Sequence, residues 1–293
     1  MISSALPVGE SAVRGIKMNH LMMNESIIGI VAGNGRFPVI LVEYLRKAGK
    51  KIVVAGINGE TDTSLPEKVD RFIWLGLGEL NNLIKFFQAE GVKNIIMAGQ
   101  VKHHRLFENI KFDFRALKLL TSLLDRRADS LLKAVIKEIE SAGLKVLPSN
   151  IYLKDLLSTS GNLTAVSLTP EEKSDIDFGW PLARKIAEMD IGQTLVVKGK
   201  TVVAVEAMEG TDECIRRAAK IAGSGLVVIK VARPKQDLRF DLPVVGLRTI
   251  AVLQEVGSRV LVVEAARTLL LDKPELLNRA KQSGIAIIGK EEK

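Results

Sequence analysis

The stretch IIGIVAGNGRFP, residues 27–38, decides the fold class of this chain. Its first six residues form a continuous apolar run, which is typical of a strand buried on both faces of a sheet. Gly33 and Gly35 then allow a tight turn, and Pro38 suits the first turn of a helix. The stretch therefore predicts a strand, a glycine loop and a helix in direct succession.

The same alternation continues along the first half of the chain. Apolar runs at Lys51–Ile57 and Asn94–Ala98 predict further strands, and Glu79–Glu90 has the apolar spacing of a helix. Strands separated by helices of this length indicate βαβ units and a parallel sheet. The second half adds a hairpin pattern around the turn at 198–200. We therefore expect a mixed α/β arrangement there.

The composition excludes several classes of protein. Of the 293 residues, 47% are apolar and 26% are charged, close to the averages for globular proteins. These values exclude a disordered chain, a collagen-like repeat and a disulfide-rich miniprotein. The one cysteine, Cys214, permits no disulfide within the chain. No apolar stretch reaches the length of a transmembrane helix, since the longest candidate, 27–45, is interrupted by polar residues, glycines and a proline.

A chain of 293 residues predicts about two domains. We expect a flexible leader at 1–25, an N-terminal Rossmann-like parallel-sheet domain at 26–150 and a C-terminal mixed α/β domain at 169–293. A linker is predicted at 151–168, because this region is rich in Ser, Thr, Asn, Gly and Pro and shows little helical pattern.

The net charge of +8 indicates an anionic partner, which could be nucleic acid, a phosphorylated metabolite or an anionic lipid surface. Residues 1–150 hold 21 Lys/Arg and 15 Asp/Glu, whereas residues 151–293 hold 21 and 19. The local excess lies in Lys102–Arg127. That segment lacks a clear array of aromatic stacking positions, so we expect no nucleic acid.

Two glycine loops are candidate sites in the first domain. The loop at 33–36 could hold a phosphate or nucleotide at the following helix N-terminus, or it could be only a tight turn. It departs from the dinucleotide fingerprint, because Pro38 replaces the third glycine and the nearest acid is Glu60, in a loop. The segment at 99–102 follows another strand at the same sheet edge, where open α/β sheets bind ligands. The adjacent histidines at 103 and 104 would point to opposite sides, so a histidine metal site is disfavoured.

Two dense polar segments follow strands in the second domain. In the first, 206–212, a charged Glu206 after an apolar run is costly unless it is paired or bound to a cation. Thr211 or Asp212 could alternatively cap the next helix. The second segment, 230–243, combines two carboxylates, four cations and a glutamine. Such oxygen ligands and cations suit Mg²⁺ or Mn²⁺ with a phosphate, and the alternative is an exposed salt-bridged loop.

At these residues the chain resembles the LpxI family, the UDP-2,3-diacylglucosamine pyrophosphatases of lipid A biosynthesis. The resemblance covers residues 27–289 and rests on AGNGRFP (32–38), MAGQV (97–101), DIGQ (190–193), AVEAMEGTD (204–212) and QDLRFDLPVVG (236–246). It implies a metal-dependent enzyme with its substrate between two domains and with the C-terminal domain as the catalytic one. It also implies hydrolysis of UDP-2,3-diacylglucosamine to UMP and 2,3-diacylglucosamine 1-phosphate. The family's essential acid falls on Asp241.

The resemblance and the placement of polar residues together predict three groups of site residues. The predicted catalytic residues are Asp241, Arg239 and Lys235. The predicted ligands of Mg²⁺ (or Mn²⁺) are Asp241, Glu209, Asp212 and Asp237. The predicted substrate-binding residues are Gly33, Asn34, Gly35, Arg36, Gly99, Gln100, Lys102, Gly210, Thr211 and Gln236.

The resemblance further implies a cytoplasmic protein that meets the inner-membrane surface transiently, and it leaves a homodimer open. The alternative function is a sugar-nucleotide-binding or sensing module without chemistry, whose fold would look similar. Metal-dependent release of UMP from the diacylated substrate separates the two functions.

Overall fold

The computed structural model describes residues 26–101, 111–122, 128–234 and 236–291. The chain divides into two compact units, of which the first ends at Pro148 and the second begins at Ser149. The leader predicted at 1–25 lies outside the described residues. Each unit has its own sheet and is described by itself.

The first unit is a parallel sheet with helices in its crossovers. Its strands are β1 (Ile27–Ala32), β2 (Lys51–Ile57), β3 (Arg71–Leu75), β4 (Asn94–Ala98) and β5 (Lys145–Leu147). The α-helices in its described residues are α1 (Phe37–Lys47), α2 (Leu80–Ala89), α3 (Phe114–Ser122) and α4 (Ala128–Ser141). The strand order is β3-β2-β1-β4-β5, and every neighbouring pair is parallel. This is the order of a Rossmann-type sheet, so the predicted fold of the first domain is confirmed.

The central position of β1 follows from its apolar residues. Ile28 and Ile30 are fully buried. Between them, a Cβ on Gly29 would lie 2.9 Å from a ring carbon of Phe87 on α2. The glycine therefore lets this helix pack close to the strand.

The second unit is a mixed sheet. Its strands are β6 (Gly161–Asn162), β7 (Thr194–Lys198), β8 (Thr201–Val205), β9 (Val227–Lys230), β10 (Val244–Val245), β11 (Val260–Glu264), β12 (Leu269–Leu270) and β13 (Ala286–Lys290). The main sheet has the order β6-β13-β11-β9-β7-β8, and β10 pairs separately with β12. β9, β11 and β13 are parallel, whereas β7 is antiparallel to both β8 and β9. The predicted mixed α/β arrangement and its hairpin are therefore confirmed.

Helices cover both faces of the second sheet. They are α5 (Pro170–Glu188), α6 (Thr211–Ala222), α7 (Leu247–Glu255) and α8 (Lys273–Gln282). Trp180 of α5 packs in one core with Leu195 and Ile229, whereas Val196 and Val228 point to the other core, with α6, α7 and α8. This division follows from the alternation of side chains along a strand. None of the described helices is long and apolar enough to span a membrane.

The segment 151–168, predicted as a linker, is instead part of the second unit. Gly161 and Asn162 pair with β13. Ser158 is buried, and its hydroxyl donates to the carbonyl of Glu264 at 2.7 Å. The polar residues that suggested a linker thus satisfy their hydrogen bonds inside the unit, which composition does not reveal.

Candidate functional site

The two glycine loops of the first unit meet at the carboxyl edge of its sheet. The N–H of Asn34 donates to the carbonyl of Gln100 at 2.6 Å, and the N–H of Gln100 donates back at 3.0 Å. The loops follow β1 and β4, which lie side by side where the strand order reverses. This switch point is where sheets of this type bind ligands.

The glycines at this point have a structural reason. A Cβ on Gly33 would lie 2.6 Å from the carbonyl oxygen of Gln100, and Gly99 has a φ of +92°. Gly35 has a φ of +97°, and among the described residues other than its two chain neighbours no heavy atom lies within 4 Å of the position that its Cβ would take, so this glycine faces open space. Arg36 is the N-cap of α1 and lies 3.5 Å from Glu43. Lys102, predicted to bind substrate here, lies outside the described residues.

The second sheet ends in a row of polar side chains. Lys230, the last residue of β9, is in register with Thr194 on β7, and the N–H of Glu206, just after β8, donates to the Thr194 carbonyl at 2.9 Å. Glu264 ends β11, the next strand on the other side of β9. The sheet thus places Glu206, Thr194, Lys230 and Glu264 in sequence across four neighbouring strands.

Thr211 connects this row to the start of α6. Lys230 Nζ donates to Thr211 Oγ1 at 2.6 Å, and Thr211 Oγ1 donates to Glu206 Oε1 at 3.2 Å. Lys230 is only 7% exposed, so its charge depends on such partners. Glu206 Oε2 is buried, and the described residues give it no hydrogen-bond partner.

The residue that caps the start of α6 is neither of the two candidates that the sequence offered. Gly210, with a φ of 81°, is the N-cap residue and offers no side chain. Thr211 and Asp212 therefore lie inside the first turn, and the alternative that one of them caps the helix is wrong. Their side chains are engaged elsewhere, with Lys230 and with Arg248.

The segment after β9 folds as a compact turn. The N–H of Asp241 donates to the Asp237 carbonyl at 2.9 Å, and Arg239 Nη2 donates to Asp237 Oδ2 at 2.7 Å. Gln236 Oε1 accepts from the N–H of Arg233 at 3.2 Å, whereas Gln236 Nε2 is buried with no partner in the described part of the chain. The turn therefore brings four predicted site residues together. The fifth, Lys235, lies outside the described residues.

Each carboxylate predicted as a metal ligand is paired with a different arginine. The pairs are Asp241 with Arg233, Asp237 with Arg239, Glu209 with Arg217, and Asp212 with Arg248. The hydrogen bond from Arg217 also holds the pKa of Glu209 below its ordinary value. Among the described residues, no three acidic, histidine or cysteine side chains are grouped as a metal site would require. The predicted set of four carboxylate ligands therefore stays a prediction, and each of the four is paired with a guanidinium group in the described structure.

The turn nevertheless fits a Mg²⁺ ion shared with a substrate. Mg²⁺ is usually held by one or two carboxylates together with water and substrate phosphates, and it seldom has a full protein cage. Asp237 and Asp241 supply two carboxylates on one turn, and their side chains are 17% and 27% exposed. They are the residues of this site that would hold the ion.

Two family models match the chain, and together they cover nearly all of its described length. The model of the LpxI N-terminal domain matches residues 27–156, and that of the LpxI C-terminal domain matches residues 159–288. The chain belongs to the LpxI family. Both candidate regions, the glycine loops and the polar edge of the second sheet, lie inside these matches.

A curated LpxI protein is similar over almost the whole chain. The UDP-2,3-diacylglucosamine pyrophosphatase LpxI of Caulobacter vibrioides is 34% identical over 275 residues, which are 89% of this chain and 96% of that protein.

The solved structures are less similar. A biotin carboxylase complex from Campylobacter jejuni has a TM-score of 0.28 at 12% identity over 69% of this chain, which spans only 43% of that one. An N5-carboxyaminoimidazole synthetase from Staphylococcus aureus has a TM-score of 0.23 at 10% identity, with coverage of 72% and 68%. Neither likeness carries an argument about the LpxI-family chain.

Sequence reasoning counted Lys230 among the cations of the segment 230–243 but did not predict its burial, and it missed Glu264, a buried acid of this LpxI-family site. Glu264 is 1% exposed; its Oε2 accepts from the N–H of Ala232 at 2.8 Å, and its Oε1 lies 3.2 Å from Arg267. It therefore fixes the start of the turn that carries Asp241. The signal that could have found it is a charged residue that closes an apolar strand, which was applied only to Glu206.

Proposed function

We propose that this chain hydrolyses the pyrophosphate bond of UDP-2,3-diacylglucosamine to UMP and 2,3-diacylglucosamine 1-phosphate, in lipid A biosynthesis. The single observation that carries the proposal is the 34% identity, over 96% of its length, to a protein named for this pyrophosphatase activity. The aligned region covers 89% of this chain and includes residues of both units.

The turn at 231–243 is the proposed reaction centre. In the reaction, the oxygen of a water forms a bond to one phosphorus, the bridging P–O bond breaks, and the two products leave as phosphate monoesters. Negative charge builds up on the phosphoryl oxygens as this happens. Arg233 and Arg239 lie in the turn, and guanidinium groups stabilise such charge with paired hydrogen bonds. Lys235 is the third cation that the sequence places there.

The ion pairs of the turn support an exchange of partners when the substrate binds. Arg233 Nη1 lies 3.4 Å from Asp241 Oδ2, a long contact for a charge-assisted hydrogen bond. A pyrophosphate competes for this guanidinium, because phosphate oxygens accept two parallel N–H bonds from arginine. The exchange would leave Asp241 free to orient the attacking water or to hold a cation.

Mg²⁺ or Mn²⁺ is the proposed cofactor, held by Asp241 with Asp237. When bound, such an ion offsets phosphate charge and lowers the pKa of a coordinated water. Gln236 would donate its unpaired Nε2–H to the substrate. The loops at 33–36 and 99–102, together with Gly210 and Thr211, are the proposed further contacts with the nucleotide or its phosphates.

The proposed location of the protein in the cell follows from its diacylated substrate. A two-tailed lipid resides in a bilayer, so we propose that the protein works in the cytoplasm and meets the inner-membrane surface transiently. A homodimer stays a prediction, which sedimentation of the purified protein would test.

The proposal is tested by UMP formation from UDP-2,3-diacylglucosamine, measured with the purified chain in detergent micelles. We expect turnover with Mg²⁺, loss of turnover on addition of EDTA, and recovery when excess Mg²⁺ or Mn²⁺ is restored. Far-UV circular dichroism in EDTA is the control for folding. Folded protein that binds the substrate but forms no UMP under any of these conditions would be a binding module, and the proposed activity would be wrong.

A further inference from the structure

Three large apolar side chains are exposed on α3 and just before its start. Phe114 is 84% exposed, Leu117 51% and Phe112 43%. Phe114 and Leu117 are three residues apart and therefore share one face of the helix. Lys111 and Lys118 are exposed beside them. We call these five residues the α3 patch.

The α3 patch is held on a fixed base. Asp113 Oδ2 accepts from the N–H of Asn81 on α2 at 2.6 Å, and its Oδ1 accepts from the N–H of Ala116 at 2.9 Å. On the inner side of the helix, Ala116 is buried and Arg115 forms a 2.8 Å ion pair with Glu138 on α4. The helix is thus tied to two neighbours, while the rings of the patch point away from them.

We infer that the α3 patch docks on the surface of an anionic phospholipid bilayer. Aromatic and leucine side chains insert at the interface between lipid head groups and acyl chains, and flanking lysines are attracted to anionic lipids. The sequence around the patch has the matching charge, since residues 102–127 contain seven Lys/Arg and three Asp/Glu. A second copy of the chain is a poorer partner, because a two-fold contact would place the lysines of one patch against those of the other.

The α3 patch would be the surface through which the protein meets the inner membrane. Its role in lipid A biosynthesis rests on the proposed function. Vesicle binding itself needs no substrate. The docking surface and the proposed activity can therefore be tested separately. Vesicle binding without UMP formation contradicts only the proposed activity. UMP formation in detergent without vesicle binding contradicts only the docking surface.

The test is flotation of the full chain with vesicles of phosphatidylethanolamine and phosphatidylglycerol, compared with vesicles of phosphatidylcholine alone. We expect binding to the anionic vesicles, weaker binding to the zwitterionic ones, and release by high salt. The double variant Phe114→Ser/Leu117→Ser should bind at least about tenfold less. The control is Ile221→Ser, which removes a 65% exposed apolar side chain from α6 in the second unit and should bind as the unchanged protein does.

Three results would overturn the inference. The first is equal vesicle binding by the Phe114→Ser/Leu117→Ser variant and the Ile221→Ser control. The second is equal binding to anionic and zwitterionic vesicles. The third is a change in the lipid-free sedimentation coefficient of the double variant alone, which would make the α3 patch a contact between subunits. Thermal unfolding of both variants, followed by circular dichroism, shows whether either variant has lost its fold, so that a loss of folding is not taken for a loss of vesicle binding.

Discussion

Arg239 has a structural partner in the described residues and a proposed chemical role. Its guanidinium is paired with Asp237, two residues earlier, by hydrogen bonds of 2.7–3.2 Å. The planar fork of arginine suits both a carboxylate and a phosphate, and an ammonium group matches neither in the same way. In the proposed function, this pair would hold the guanidinium in a defined orientation before the substrate binds.

Replacement of Arg239 by glutamine should lower kcat about 100-fold, because stabilisation of charge that develops in the transition state is lost. Arg239→Lys should recover part of kcat through its charge, but not the geometry of the fork. Steady-state kinetics of UMP formation measure both, and Arg216→Gln, which removes an arginine paired with Glu255 away from the turn, is the control. Unchanged kcat in Arg239→Gln would remove this residue from the catalytic group.

The sequence predicted which residue types lie near one another along the chain, but it did not predict which side chains form ion pairs. The sequence places Asp237, Arg239 and Asp241 in one polar segment after a strand. It does not show that Glu209 pairs with Arg217, because this contact depends on how the turn before α6 folds back on that helix. Nor does it show that Asp212 pairs with Arg248, which requires α6 and α7 to pack together. The predicted set of four carboxylate ligands therefore stays a prediction.

The ends of the strands in the second sheet position the polar side chains of the candidate site. β11 ends in Glu264, whose carboxylate lies between the side chains of Arg184 and Arg267 and the N–H of Ala232. Because Ala232 lies just beyond the end of β9, the acid connects one strand to the turn that leaves the next. A buried acid is thereby used to fix a loop.

The variant Glu264→Gln should lower the free energy of unfolding by about 3 kcal/mol, because two arginines lose their buried counter-charge. It should also lower kcat more than it raises KM, since the turn that carries Asp241 loses its anchor. Urea unfolding and UMP kinetics measure the two effects. Asp177→Asn, an exposed acid on α5 paired with Lys290, is the matched control and should change stability by less than about 1 kcal/mol. Equal stability of the two variants would show that Glu264 is not an anchor.

Periodic elements were predicted well, and the polar segment 151–168 was not. α5 begins at Thr-Pro-Glu-Glu, residues 169–172, a pattern that predicts a helix start, and the Thr169 hydroxyl and the Glu172 side chain form a reciprocal capping box there. The alternating strands and helices of the first unit likewise follow from apolar periodicity. The segment 151–168 was misjudged because its hydrogen bonds join it to β13 and Glu264, which are more than 100 residues away.

At the scale of the whole molecule, the net charge of +8 has a more specific meaning once the partners of the charged residues are known. In the second unit, the described structure pairs each of the four carboxylates predicted as metal ligands with an arginine. The first unit holds six of the eight excess charges within residues 1–150, and two of its exposed lysines flank the apolar α3 patch. The paired charges of the second unit therefore fit the proposed binding of a phosphate-bearing substrate. The excess positive charge of the first unit fits the proposed contact with an anionic lipid surface.

The most direct test of the account compares UDP-2,3-diacylglucosamine hydrolysis by the unchanged chain and by Asp241→Asn, with Asp177→Asn as the control acid. Mass spectrometry should detect UMP and 2,3-diacylglucosamine 1-phosphate in equal amounts with the unchanged chain and with the control. We expect Asp241→Asn to lose at least about 100-fold in rate while its thermal unfolding stays unchanged. Full hydrolysis by Asp241→Asn in the presence of Mg²⁺ would contradict the account.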